Sequence, residues 1–120
     1  MSLDSAELIR RTTKFAHRCV KLSVSLPKST LGRHIRGQLI RCSTSVAANY
    51  RAAVLAQSKA SFKSKLSIVL EEVDEAQFWI DFSVDEDLID RAAVEALISE
   101  ANELKSIFFA ARKTLSTPKA

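Results

Sequence analysis

The chain has 120 residues, 47% of them hydrophobic, and carries a formal net charge of +4 with two Gly, two Pro and two Cys. That length suits one ordinary domain, here 1–120, with one real core; the scarcity of Gly and Pro excludes a sheet rich in tight turns and points to an all-α chain. No apolar run approaches the ~18 residues that a membrane span needs, and the opening MSLDSAELIRR has no apolar leader core, so a soluble, unexported, cytoplasmic protein is expected.

Helix one is expected over about 4–24, with Ser2 or Asp4 near its cap. Leu8, Thr12, Phe15, Cys19, Leu22 and Leu26 recur in alternating three- and four-residue steps, the mark of a helix seam. Ile9, Ala16 and Val20 widen that apolar face beyond what a two-helix contact uses. Leu26-Pro27 ends the helix, because the residue before a proline is pushed out of the α region. Helix two follows over about 31–56, with Ser29 or Thr30 as cap. An antiparallel reversal pairs Leu22 with Ile35, Phe15 with Cys42 and Leu8 with Asn49. Gly32 and Gly37 each weaken helix two by ~1 kcal/mol relative to Ala, and close backbone packing is one reason to hold them.

The chain reverses again near Gln57 and Ser58, and helix three is expected over about 59–83 with Ser58 as cap. Ala53 then faces Phe62, Asn49 faces Leu66, Val46 faces Val69, Cys42 faces Val73 and Leu39 faces Ala76. Two unrelated apolar patterns would drift out of register within a few turns, so this pairing specifies the hairpin. Helix three ends in SVDED, where Asp85 or Asp87 can cap helix four, expected over about 88–114. Its seam of Leu97, Ala101, Leu104, Phe108, Ala111 and Leu115 pairs Phe62 with Phe108, Leu66 with Leu104 and Val73 with Leu97. Three hairpins in one register make an up-down-up-down antiparallel four-helix bundle with layers such as Phe15, Cys42, Val73 and Leu97. Residues 116–120 are expected to fray.

Charge divides along the chain. Residues 1–65 hold 13 Lys or Arg against Asp4 and Glu7, a balance of +11, whereas residues 66–120 hold 5 against 12 acids, a balance of −7. Arg10, Lys14, Arg18 and Lys21 lie on one ridge of helix one with His17 beside them. Arg33, Arg36, Arg41 and Arg51 add to the basic half from helix two. This ridge is the candidate nucleic-acid surface: it spans roughly 16 Å of helix, over which a phosphate backbone presents several charges. No aromatic platform accompanies it, which favours recognition by shape and charge.

Candidate chemistry is sparse. Cys19 and Cys42 fall on core seams about one turn out of step, and read as buried reduced thiols. His17 and Cys19 point to nearly opposite faces, and His34 has Gln38 rather than a ligand four residues on. Glu71, Glu72 and Glu75 have no Glu-x-x-His companion of the di-iron type, so neither a metal nor a cofactor is expected. The serines of RCSTS lie mid-helix without a neighbouring His to activate them, and no catalytic residues are assigned. Asn49, a polar side chain at a seam position, needs partners and would serve to fix register. After the seams are buried, Ile68, Glu72, Glu75, Trp79 and Phe82 form a further stripe on helix three. Tyr50, Phe78, Ile9, Val20, Ile107 and Phe109 also lie off the seams. That is more apolar surface than a small monomer leaves in water, and a homo-oligomer with Trp79 at or near its interface is expected.

QLIRCSTSVAANYRAA, followed by SKASFKSKLSIVLEEVDEAQFWIDF and preceded by a helix ending in LP, resembles the bacterial four helix bundle protein family. That family was first met as the reading frame inside intervening sequences of 23S ribosomal RNA genes. The resemblance covers about residues 8–108, and its motif positions are Gln38, Leu39, Arg41, Ser43, Ser45, Ala48, Asn49, Lys65, Leu66, Ile68, Glu75 and Trp79. Where many members carry an acidic-glycine turn after the asparagine, this chain has Arg51 to Gln57. The resemblance implies a closed antiparallel bundle assembled into a homopentameric ring, with no catalytic residues. A family relative, the accessory protein of diversity-generating retroelements, implies RNA or DNA as a partner, and a reverse transcriptase where one is encoded nearby. Two function classes stay open beside an enzyme: a nucleic-acid or ribonucleoprotein binding module, and a structural or protein-interaction scaffold without nucleic-acid contact.

Overall fold

The computed structural model describes residues 4–116 and contains four antiparallel helices, α1 (Ser5–Ser25), α2 (Thr30–Val54), α3 (Lys59–Asp85) and α4 (Arg91–Ser116). They form an all-α bundle measuring 53 × 23 × 22 Å. Sequential helices pack closely, whereas α1 and α4 are the most loosely packed of the neighbouring pairs. Ser2, one of the two candidate caps, and residues 117–120 of the expected tail lie outside the described residues.

Each of the first three helices starts where a side chain can satisfy an orphan amide of the first turn. Asp4 Oδ1 accepts from the Glu7 N–H at 2.7 Å, Ser29 Oγ from Gly32 at 3.0 Å and Ser58 Oγ from Ser61 at 3.1 Å. Leu26, held extended at ψ 149 before Pro27, closes α1. Arg36 then ties the turn down by donating to the carbonyls of Ser23 at 3.3 Å and Leu26 at 3.2 Å.

The core follows the seams. Phe15, Cys42, Val73 and Leu97 are all buried, as are Leu39, Val46, Leu66, Val69, Ala101, Leu104 and Phe108. Thr12, Ser23, Ser43 and Ser83 are buried too. Each hydroxyl returns to a carbonyl three or four residues back, for example Ser23 Oγ to Cys19 O at 2.7 Å and Ser83 Oγ to Trp79 O at 2.8 Å. A helix can therefore bury these small polar residues without a partner from another helix.

Several expectations are corrected. Helix α3 runs on to Asp85, so neither Asp85 nor Asp87 caps α4, which begins at Arg91. The α3 end is a Schellman turn: Leu88 N–H donates to Ser83 O at 2.9 Å and Asp87 N–H to Val84 O at 3.0 Å, with Asp87 in the left-handed region at φ 58. Helix α2 stops at Val54 rather than Ala56. Asn49 bonds within its own helix, its Nδ2 donating to Ser45 O at 3.0 Å and Ser45 Oγ at 2.9 Å. It therefore ties no helix to another. Its neighbour Tyr50, expected off the seam, is the buried residue of that turn and packs 5.3 Å from the Phe108 ring. Phe62 is only half-buried.

The two glycines have different reasons. A Cβ on Gly32 would lie 1.9 Å from Pro27 O, so α2 can pass the α1–α2 turn only without a side chain there; a Cβ on Gly37 would meet nothing within 4 Å. Gly37→Ala should therefore raise stability by about 0.5–1 kcal/mol through helix propensity alone. Gly32→Ala should lower it despite the same propensity gain, since a backbone carbonyl must move. Thermal unfolding of the two variants checks the opposite signs.

Candidate functional site

Helix α1 buries Leu8, Thr12, Phe15, Ala16, Cys19 and Ser23, which leaves the opposite face to water. Arg10, Lys14, His17 and Lys21 are exposed there and Arg18 is half-buried. With Arg51, arriving from the last turn of α2, they border an open groove of about 580 Å³ whose lining also includes Ile9 and Thr13 and is mainly carbon. Five guanidinium or ammonium groups thus share one depression. Among the described residues none of the five pairs with a carboxylate, whereas Arg11, Arg41 and Lys105 do.

The other basic candidates sit apart from this groove. Arg36 is occupied by the α1–α2 turn, and Arg33 is exposed in the first turn of α2. Arg41 leans toward α3, where its guanidinium meets Glu72 at 3.2 Å and also Glu75. The hydrogen bond to Glu75 is the main reason its pKa is raised.

Arg41 thereby joins the α3 stripe. Ile68, Glu72, Glu75, Trp79 and Phe82 are all half-buried on one face. Trp79 Nε1 donates to Glu75 Oε2 at 3.3 Å, and the Trp79 ring meets His34 edge-on at 5.5 Å. Phe78, 52% exposed, lies 5.0 Å from Trp79 and 5.8 Å from Phe82. Both acids of the stripe thus share one guanidinium within the chain, and its outer rim is aromatic.

A residue outside the sequence candidates closes the bundle. Arg11 grips Glu100 with two parallel hydrogen bonds, Nε–Oε2 at 3.1 Å and Nη2–Oε1 at 2.7 Å, and reaches Glu103 at 3.0 Å. This fork joins α1 to α4, the most loosely packed of the neighbouring helix pairs. Beside it a second depression of about 360 Å³ opens between α1 and α4, lined by Arg18, Lys21, Leu22, Ser25, Ala93, Val94 and Leu97.

A basic strip on α1 and an aromatic rim on α3 are thus the two distinctive surfaces of a small four-helix bundle protein. The chain belongs to the 23S rRNA-intervening sequence protein family, whose model matches residues 4–110. It is similar to a protein of unknown function from the S23 ribosomal protein family of Bacteroides thetaiotaomicron. That structure is 27% identical, with 92% of this chain and 99% of that chain covered at a TM-score of 0.81. No curated protein matches the sequence. Among the described residues, no helix is long and apolar enough to cross a membrane.

Proposed function

We propose that the protein is a binding module rather than an enzyme: a homo-oligomer that holds RNA or a ribonucleoprotein through the α1 groove. One observation carries this reading. Arg10, Lys14, Arg18, Lys21 and Arg51 surround one open depression and none forms an ion pair with a carboxylate of the described chain, so their charge is available to phosphates. The family's first-met setting, a reading frame inside intervening sequences of 23S rRNA genes, is in keeping with an RNA partner.

Self-association is supported by the aromatic rim. Phe78 is 52% exposed beside Trp79 and Phe82, and Phe109 is 53% exposed on α4. Because Arg41 already engages Glu72 and Glu75, the stripe offers a neighbour its ring carbon beside one net negative charge. The homopentamer implied by the family resemblance fits such a surface, and a ring would repeat the basic groove so that weak contacts add. Light scattering should give an oligomer at micromolar concentration; a monomer rejects the assembly. The same rim favours the second reading, a protein-interaction scaffold without nucleic-acid contact.

A salt-titrated binding assay on a structured RNA separates the two. Affinity should fall steeply with salt. The Arg10→Glu/Lys14→Glu/Arg18→Glu variant should bind far more weakly, with a log–log salt slope shallower by roughly 2–3. A folded, assembled variant that binds like the parent across the range rejects the groove and leaves the scaffold.

A further inference from the structure

The basic groove and the α1–α4 depression share two residues, Arg18 and Lys21. They therefore adjoin at those two side chains, and end to end they form a track that runs from Arg51 and Ile9 to Ser25 and Ala93. From Arg10 to Ser25 the helix rises about 22 Å, long enough for several nucleotides at about 3.4 Å or more each.

The lining of that track discriminates among anionic polymers. Cations stand along its edge, but the floor at both ends is carbon: Ile9 and the Thr13 side chain in the first depression, Leu22, Val94 and Leu97 in the second. A nucleic-acid duplex offers such a surface phosphates, sugars and the polar base edges of its grooves, but no base faces, since these are stacked inside. It would leave both floors uncovered. An unpaired strand can turn its bases inward onto the floors while its phosphates remain on Arg10, Lys14, Arg18 and Lys21. The guanidinium planes of Arg10, Arg18 and Arg51 stand where aromatic rings are absent and can stack on bases themselves.

We infer that the α1 track is a site for single-stranded nucleic acid, taking unstacked bases in the Ile9–Thr13 and Leu22–Val94–Leu97 depressions. This rests on the nucleic-acid reading of the basic groove and narrows it to a substrate class.

The experiment compares, at one salt concentration and with the full chain, a short oligouridylate, an abasic strand of the same length and an RNA duplex of the same length. The single strand should bind at least about fivefold more tightly than the abasic strand, the effect of one favourable base contact. Thr13→Gln and Ala93→Gln fill the two depressions without altering charge or helix propensity much. They should erase that preference while duplex binding stays as in the parent. Unchanged melting temperatures of both variants show that the fold is kept. Equal affinity for oligouridylate and abasic strand, or a parent preference that both variants retain, overturns the inference and leaves the basic-groove reading standing. Failure of all three nucleic acids to bind overturns both. So does binding of phosphatidylglycerol vesicles alone, which would make the track a lipid-headgroup site.

Discussion

Phe108→Ala is expected to lower the unfolding free energy by about 3–5 kcal/mol, and Leu104→Ala by about 2–5 kcal/mol. Both side chains are fully buried on α4, and the Phe108 ring lies 5.3 Å from Tyr50. Truncation removes apolar surface from the core and leaves a cavity that flanking helices fill only in part, so transfer and cavity costs add. The adjacent Phe109 is 53% exposed and meets the Arg112 guanidinium at 5.7 Å. Phe109→Ala should therefore cost less than about 1 kcal/mol. Urea unfolding of the neighbouring variants reads the difference directly. Equal losses at 108 and 109 would mean that α4 is rotated from the orientation described.

The contrast between these neighbours was legible in the sequence, because the α4 seam passes through 104 and 108 and leaves 109 outside. Alternating three- and four-residue steps fix which side chain faces inward, and three antiparallel reversals in one register leave little freedom in the bundle. Chain ends and local ambiguities were harder. Asn49 and Tyr50 are consecutive, and the smaller one fitted the periodicity; the larger one took the core because it reaches Phe108. Helix α3 runs into the acidic SVDED segment and ends at Asp85, two residues later than expected, because a Schellman turn stops it there with no glycine to announce it.

The candidate site was legible in part. Spacing alone put Arg10, Lys14, Arg18 and Lys21 on one ridge, since residues on one helix need no tertiary information. Arg41 needed more: grouping it by segment charge hid that Cys42 faces Val73, which sets residue 41 beside Glu72 and Glu75. Likewise the layers joining Phe15 to Leu97 and Leu8 to Leu104 put Arg11 opposite Glu100. The carbon floors between helices could not be read, because a depression depends on how far apart α1 and α4 stand.

Both thiols should resist modification in the folded protein and make it labile in alkali. Cys19 and Cys42 are free and fully buried. Burial, reinforced for Cys19 by the proximity of Cys42, pushes each from an ordinary 9.0 up to about 12. Since the thiolate is the reactive form, native thiols at pH 8 should be slower toward a disulfide reagent than unfolded ones by roughly a thousandfold. The same shift acts on stability. Above pH 9 the unfolded chain releases protons that the folded chain retains. Stability is then fully present below pH 9 and falls as pH rises toward 12, by up to about 1.4 kcal/mol per pH unit for each thiol. Tyr50, whose pKa is also raised by burial, adds to the loss above pH 10. Urea midpoints measured from pH 8 to 11 should therefore fall more steeply for the parent than for Cys19→Ala/Cys42→Ala, with Tyr50→Phe as the control for the phenol. If the double variant keeps the parent's alkaline slope, the thiols are not what the folded chain protects.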